Sequence, residues 1–163
     1  MVAAAAAKPS TPAGRRRDLT AKEKALALLD KRDYSRAELL RKLAEKDFDE
    51  AEATEAVDRL VELGFVDDAR YAPIIVRHYA AKGYGPQRVR QELQKRGIPK
   101  ELWDEALAEM PEQDDTLDRL IRSKLGGKEP SKENLSRVSA ALQRRGYGWQ
   151  EIREAIERLN IEE

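Results

Sequence analysis

Few residues in this chain can do covalent chemistry. There is one histidine, His78, and no cysteine. That removes disulfides and thiolate metal sites, and it leaves an imidazole with no partner to make it a general base. His78 is read as an ordinary surface or partly buried side chain. Two acidic pairs, Asp67 with Asp68 and Asp114 with Asp115, carry the hard oxygen ligands that divalent cations take. Each pair stands where a unit of the chain begins, so capping a helix N-terminus explains them without a metal. The stretch holding Lys124, Gly126, Gly127 and Lys128 lacks the spacing and the preceding strand of a phosphate-binding loop and is read as a turn. No catalytic residue, metal ligand or cofactor follows, and the chain reads as a non-enzyme.

What remains is positive charge at regular spacing. Counted from Leu93, Arg88 lies five residues before, Lys95 two after and Arg96 three after; from Leu142 the same offsets give Arg137, Arg144 and Arg145. At 100° per residue, Arg88 and Lys95 share a helix face outside the apolar stripe, and Arg96 and Arg145 sit at its border. Lys82 and Arg90 belong to the same basic stretch. These eight residues are the candidates for contact with phosphate or a partner protein. From Leu43 the offsets give Glu38, Glu45 and Lys46, so a polyanion is expected at the second and third units rather than the first. Tyr84, Tyr147 and Trp149 stand at turns beside the basic helices, where rings could stack on bases. Packing is the plainer reading for Tyr147, whose counterparts are Phe48 and Ile98.

The elements that position these side chains come from an apolar period. Offsets of −4, +5, +10, +14 and +17 from Leu93 fall on Val89, Ile98, Trp103, Leu107 and Met110; from Leu43 they fall on Leu39, Phe48, Ala53, Val57 and Leu60, and from Leu142 on Val138, Tyr147, Ile152, Ile156 and Leu159. Three copies of one helical unit account for the pattern. Thr20 with Glu23, Ser35 with Glu38 and Asp49 with Glu52 have capping-box spacing and predict three helices in the first copy. Asp67 and Asp68 open the second copy. Gly83 and Pro86 punctuate it, and an acidic helix over 100–110 completes it. Residues 111–113 link to the third copy, where Asp114 and Asp115 serve as caps and Ser131 begins a second helix about one turn longer than its counterparts. The expected fold is all-α: three tandem three-helix repeats, helix-turn-helix-like, over 19–66, 67–110 and 111–163, in an elongated body because each copy contacts only its neighbours. Residues 1–18, which include Arg15, Arg16 and Arg17, are expected to form a disordered tail.

Composition agrees with small helical cores: 40% apolar, 38% charged, two Trp, five Tyr and two Phe. Nothing resembles a membrane span or a signal-peptide core, so the chain is expected to be soluble, cytoplasmic and monomeric. The 31 basic and 31 acidic residues balance overall but alternate along the chain. Residues 8–46, 47–68, 69–100, 101–118, 119–145 and 146–163 carry net +6, −8, +7, −8, +6 and −3. The third helices are the acidic ones. Glu101, Asp104, Glu105 and Glu109 would be repelled by phosphate, so reading of the major groove by a third helix is not expected. Backbone contact through the second helices is.

Tyr34, Ser35, Glu38, Leu39 and Leu43, then the run Gly64, Phe65, Val66, Asp67, Asp68 with Arg70, Tyr71 and Ala72, and then Gly83, Gly85, Arg88, Leu93, Gly97 and Ile98 together resemble the RecX family. The resemblance covers about 20–160 and is most specific over 60–100. Asp47 and Phe48 stand where that family usually turns on a glycine, a departure that an Asp in a left-handed turn would absorb. The resemblance implies tandem three-helix repeats in a curved molecule that lodges in the groove of the RecA nucleoprotein filament. It implies inhibition of filament extension, ATPase and strand exchange, accessory DNA binding, and no catalytic residues. The alternatives are a general single- or double-stranded DNA-binding module acting by competition for DNA, and a helical scaffold for another protein.

Overall fold

The computed structural model describes residues 18–161, and the arginine triplet at 15–17 lies outside the described residues. Those residues form nine α-helices and no strand: α1 Ala21–Leu29, α2 Arg36–Glu45, α3 Glu50–Glu62, α4 Asp68–Ala81, α5 Pro86–Lys95, α6 Trp103–Leu107, α7 Gln113–Leu125, α8 Lys132–Arg144 and α9 Trp149–Ile161. No helix among them is long and apolar enough to cross a membrane. Two compact units result, one ending at Val66 and the other starting at Asp67. The second unit holds α4 to α9.

Each repeat has its own core. Leu39, Leu43, Val57 and Leu60 centre the first, Val76, Val89, Leu93 and Ile98 the second, and Leu117, Ile121, Leu142 and Ile152 the third. The +5 offset has a backbone cause. In every copy the second helix ends in a left-handed residue, Asp47 at φ 68°, Gly97 at φ 74° and Gly146 at φ 100°. The next N–H then donates back to the marker leucine: Phe48 to Leu43 at 3.1 Å, Ile98 to Leu93 at 3.0 Å and Tyr147 to Leu142 at 3.1 Å. This is the six-to-one closure of a helix C-terminus, and it swings an apolar side chain back over the core. Asp47 therefore takes the left-handed turn expected of it.

Local signals set most helix starts. Thr20 with Glu23 and Ser35 with Glu38 form complete capping boxes. Asp49 does not: its carboxylate accepts from the Ala51 and Glu52 N–H groups, but Glu52 instead accepts the Ala21 N–H at 3.2 Å, tying α3 to the start of α1. Ser35 is fully buried, and its hydroxyl accepts the Glu38 N–H at 3.0 Å. Ser35→Ala strips that buried donor of its partner, and urea unfolding followed by circular dichroism should show a loss of about 1–2 kcal/mol.

Two further expectations change, and one holds. Asp67 caps α4 by accepting the Arg70 N–H, but Asp114 and Asp115 lie inside the first turn of α7, behind Glu112. They act there as charges near the positive end of the helix. The third helix of the second repeat is shorter than the expected 100–110: a 3-10 turn over Lys100–Leu102 precedes a five-residue α6. Leu102 donates to Pro99 and Met110 to Leu107, so the chain tightens at both ends between Pro99 and Pro111. Gly126 and Gly127, at φ 58° and 84°, end α7 as an ordinary left-handed turn.

Candidate functional site: a basic and aromatic seam

In the second unit the α4–α5 turn docks against the α8–α9 turn through backbone groups. The Gly85 N–H donates to the Arg145 carbonyl at 2.8 Å and the Gln87 N–H to the Gly146 carbonyl at 3.0 Å. Side chains complete the joint: Arg145 Nη1 donates to the Lys82 carbonyl at 2.9 Å and the Tyr147 hydroxyl to the Gly83 carbonyl at 3.2 Å. Glycine is required on both sides. A Cβ on Gly85 would lie 2.7 Å from the Gly146 oxygen, and one on Gly146 would overlap the Arg88 backbone.

Tyr84 stands at the centre of this joint. The Arg88 and Arg145 guanidinium groups lie 4.7 and 5.3 Å from its ring centroid, and the Tyr79 ring lies 5.9 Å away. Lys82 approaches Tyr79 at 5.8 Å, and Arg96 donates to the Tyr71 and Tyr79 hydroxyls at 3.1 Å each. The structure thus gathers Lys82, Arg88, Arg96 and Arg145 around two tyrosines. It leaves Arg90, Lys95, Arg137 and Arg144 exposed outside that cluster. Arg90, Arg137 and Arg144 make no ion pair among the described residues.

Glu92 is a functional neighbour that spacing alone does not reveal. It is buried, and it holds Arg88 at 3.3 Å and Lys95 at 3.9 Å, so the face assigned to those two residues carries its own counter-charge. The signal was present as the one acid in a basic stretch, one helical turn from each partner. The three aromatic candidates separate cleanly. Tyr147 is a buried packing residue, and burial raises its phenol pKa against the opposing pull of Arg145 and Arg119. Tyr84 is half-buried between arginines, and Trp149 is 55% exposed. His78 is exposed, edge-on to Tyr79 at 4.9 Å. No group of three or more His, Asp or Glu able to hold a metal ion occurs among the described residues.

Two family models match the chain: the RecX first three-helix domain over residues 21–60 and the RecX second three-helix domain over residues 67–107. The regulatory protein RecX of Trichlorobacter lovleyi is 41% identical over 141 residues, covering 82% of this chain and 92% of the relative. That of Vibrio campbellii is 35% identical over 140 residues, covering 85% and 90%. That of Xanthomonas axonopodis pv. citri is 37% identical over 158 residues, covering 95% and 97%. The crystal structure of RecX from Lactobacillus salivarius has the same fold, with a TM-score of 0.77 at 22% identity over 86% of this chain and 95% of that one. The relatives are named as regulatory proteins. By sequence and by the helices and caps that the sequence dictates, this chain belongs to the RecX family of regulatory proteins.

Proposed function

We propose that this chain binds the RecA nucleoprotein filament and inhibits its extension, with ATP hydrolysis and strand exchange falling as a consequence, and that it contacts DNA through phosphates in an accessory role. Family membership supports the target. The observation that carries the physical part is a division of charge: a basic second helix in each of the later repeats, with exposed Arg90, Arg137 and Arg144, and in the second repeat an acidic surface over 101–109 with exposed Glu101, Asp104, Glu105 and Glu109. A filament of protein wound on a polyanion offers both signs of charge, and complementary potentials govern encounter and register more than raw affinity. The direct test is RecA-dependent ATP hydrolysis on single-stranded DNA, which should fall when this chain is added at stoichiometric ratios. Unchanged hydrolysis would overturn the reading.

Arg90→Gln, Arg137→Gln and Arg144→Gln combined should lower DNA affinity by about tenfold or more and flatten its salt dependence, since each lost phosphate contact removes roughly 0.7–0.9 from the logarithmic slope. ATPase inhibition should persist in that variant. Loss of DNA binding with inhibition intact favours direct protein contact, whereas parallel loss of both is the outcome common to direct contact and to competition for DNA by a general binding module.

A further inference from the structure

The outer side of α5 differs from the rest of a chain in which acids and bases balance. Gln87, Arg90, Gln91 and Gln94 are all exposed and fall within about 100° of one another around the helix axis. Arg88 and Lys95 border that stripe, and the helix's one carboxylate, Glu92, is turned inward and buried. The exposed side of α5 therefore offers amides and positive charge, with no acid.

At the N-terminal end of this surface stands Trp149, the first residue of α9. The docked turns fix it there: the Gln87 N–H donates to the Gly146 carbonyl, and the Gln87 amide nitrogen lies 3.5 Å from where a Cβ on Gly148 would be. The Glu151 carboxylate is folded onto Gly148. Tyr147, two residues earlier, is buried, yet the larger and more apolar indole of Trp149 is left 55% exposed. A tryptophan that anchors a protein partner is normally ringed by other groups that exclude water. Trp149 instead follows Gly148 and precedes Gln150, with Gln87 across the turn. An exposed π-face next to an amide, at the end of a helix surface that carries positive charge and no acid, suits an unpaired base and its flanking phosphates.

We infer that single-stranded nucleic acid runs along α5 with an unpaired base stacked on Trp149, whereas a duplex, its bases already stacked, gains the phosphate contacts alone. The inference rests on the accessory nucleic-acid binding of the proposed function and assigns that binding a ligand form and a contact residue. The test titrates the full chain, without RecA, against a fluorescent oligothymidylate and against a duplex of equal length. Trp149→Ala should weaken oligothymidylate binding about tenfold and leave duplex binding within about twofold, and Trp149→Phe should restore most of the loss. Unchanged oligothymidylate affinity, or equal weakening on both substrates, would overturn it. The same variant is scored for inhibition of RecA ATP hydrolysis: loss of inhibition with intact oligothymidylate binding assigns Trp149 to a protein contact and overturns the inference while leaving the filament reading in place.

Discussion

Gly146→Ala is expected to lower the melting temperature of the second unit by roughly 10–20 °C, the largest effect of any single methyl group in this chain. Two costs fall on one residue. Gly146 has φ 100°, beyond the left-handed well that L side chains tolerate at about 1–2 kcal/mol. Its new Cβ would also overlap the Arg88 backbone, and an N-terminal helix backbone cannot swing away as a flexible side chain can. The chain would have to separate the two turns, giving up the bonds of Gly85 to Arg145 and of Gln87 to Gly146. Together these costs come to about 3 kcal/mol or more. Both tryptophans, Trp103 and Trp149, lie in the second unit, so intrinsic fluorescence follows this transition directly. Gly127→Ala, in the same unit, is the control. It shares a positive φ of 84°, but nothing lies within 4 Å of its would-be Cβ, so it should cost only the conformational part, about 1–2 kcal/mol. Equal effects at the two glycines would mean that the docked turns contribute nothing.

Leu93→Ala should cost about 3 kcal/mol, read from the same fluorescence transition in urea. Leu93 is fully buried among Val89, Ile98, Tyr71, Val76 and Ala106, and its carbonyl also accepts the Ile98 N–H that closes α5. Truncation leaves that backbone bond intact and removes only packing. The cavity would open beside Ile98 and the half-buried Trp103, whose indole N–H donates to the Ile98 carbonyl at 2.9 Å. The emission of Trp103 should therefore shift in the folded state as well. A loss below about 1 kcal/mol would mean that this small core closes over the gap.

The helices and cores were legible because they depend on near neighbours in the chain. Leu43, Leu93 and Leu142 mark their repeats through an apolar period and a turn residue four positions on, all readable within one window. The capping boxes at Thr20 and Ser35 needed only three residues each. Spacing failed where a partner came from far away. Glu52 has the right offset from Asp49 but reaches instead for Ala21, thirty-one residues earlier. Arg145 has the offset of a surface contact, yet one of its donors is used on the Lys82 carbonyl, sixty-three residues away. Arg96 likewise spends its guanidinium on Tyr71 and Tyr79. Helical angles place a side chain on a face but do not say what else arrives there. For the same reason Arg90, Arg137 and Arg144, which project from the outer sides of their helices, are the basic candidates on which the functional test is built.

The closure that ends each second helix is made by main-chain atoms, with an aspartate in one copy and glycine in the others. A hinge point specified so sparingly imposes almost nothing on the side chains around it. After duplication of such a module, substitutions on its outside can accumulate without disturbing how it is folded. Glu38, Arg88 and Arg137 occupy one equivalent position with opposite signs. Tandem copying of this kind is a route by which a single ancestral building block can acquire a division of labour along one polypeptide.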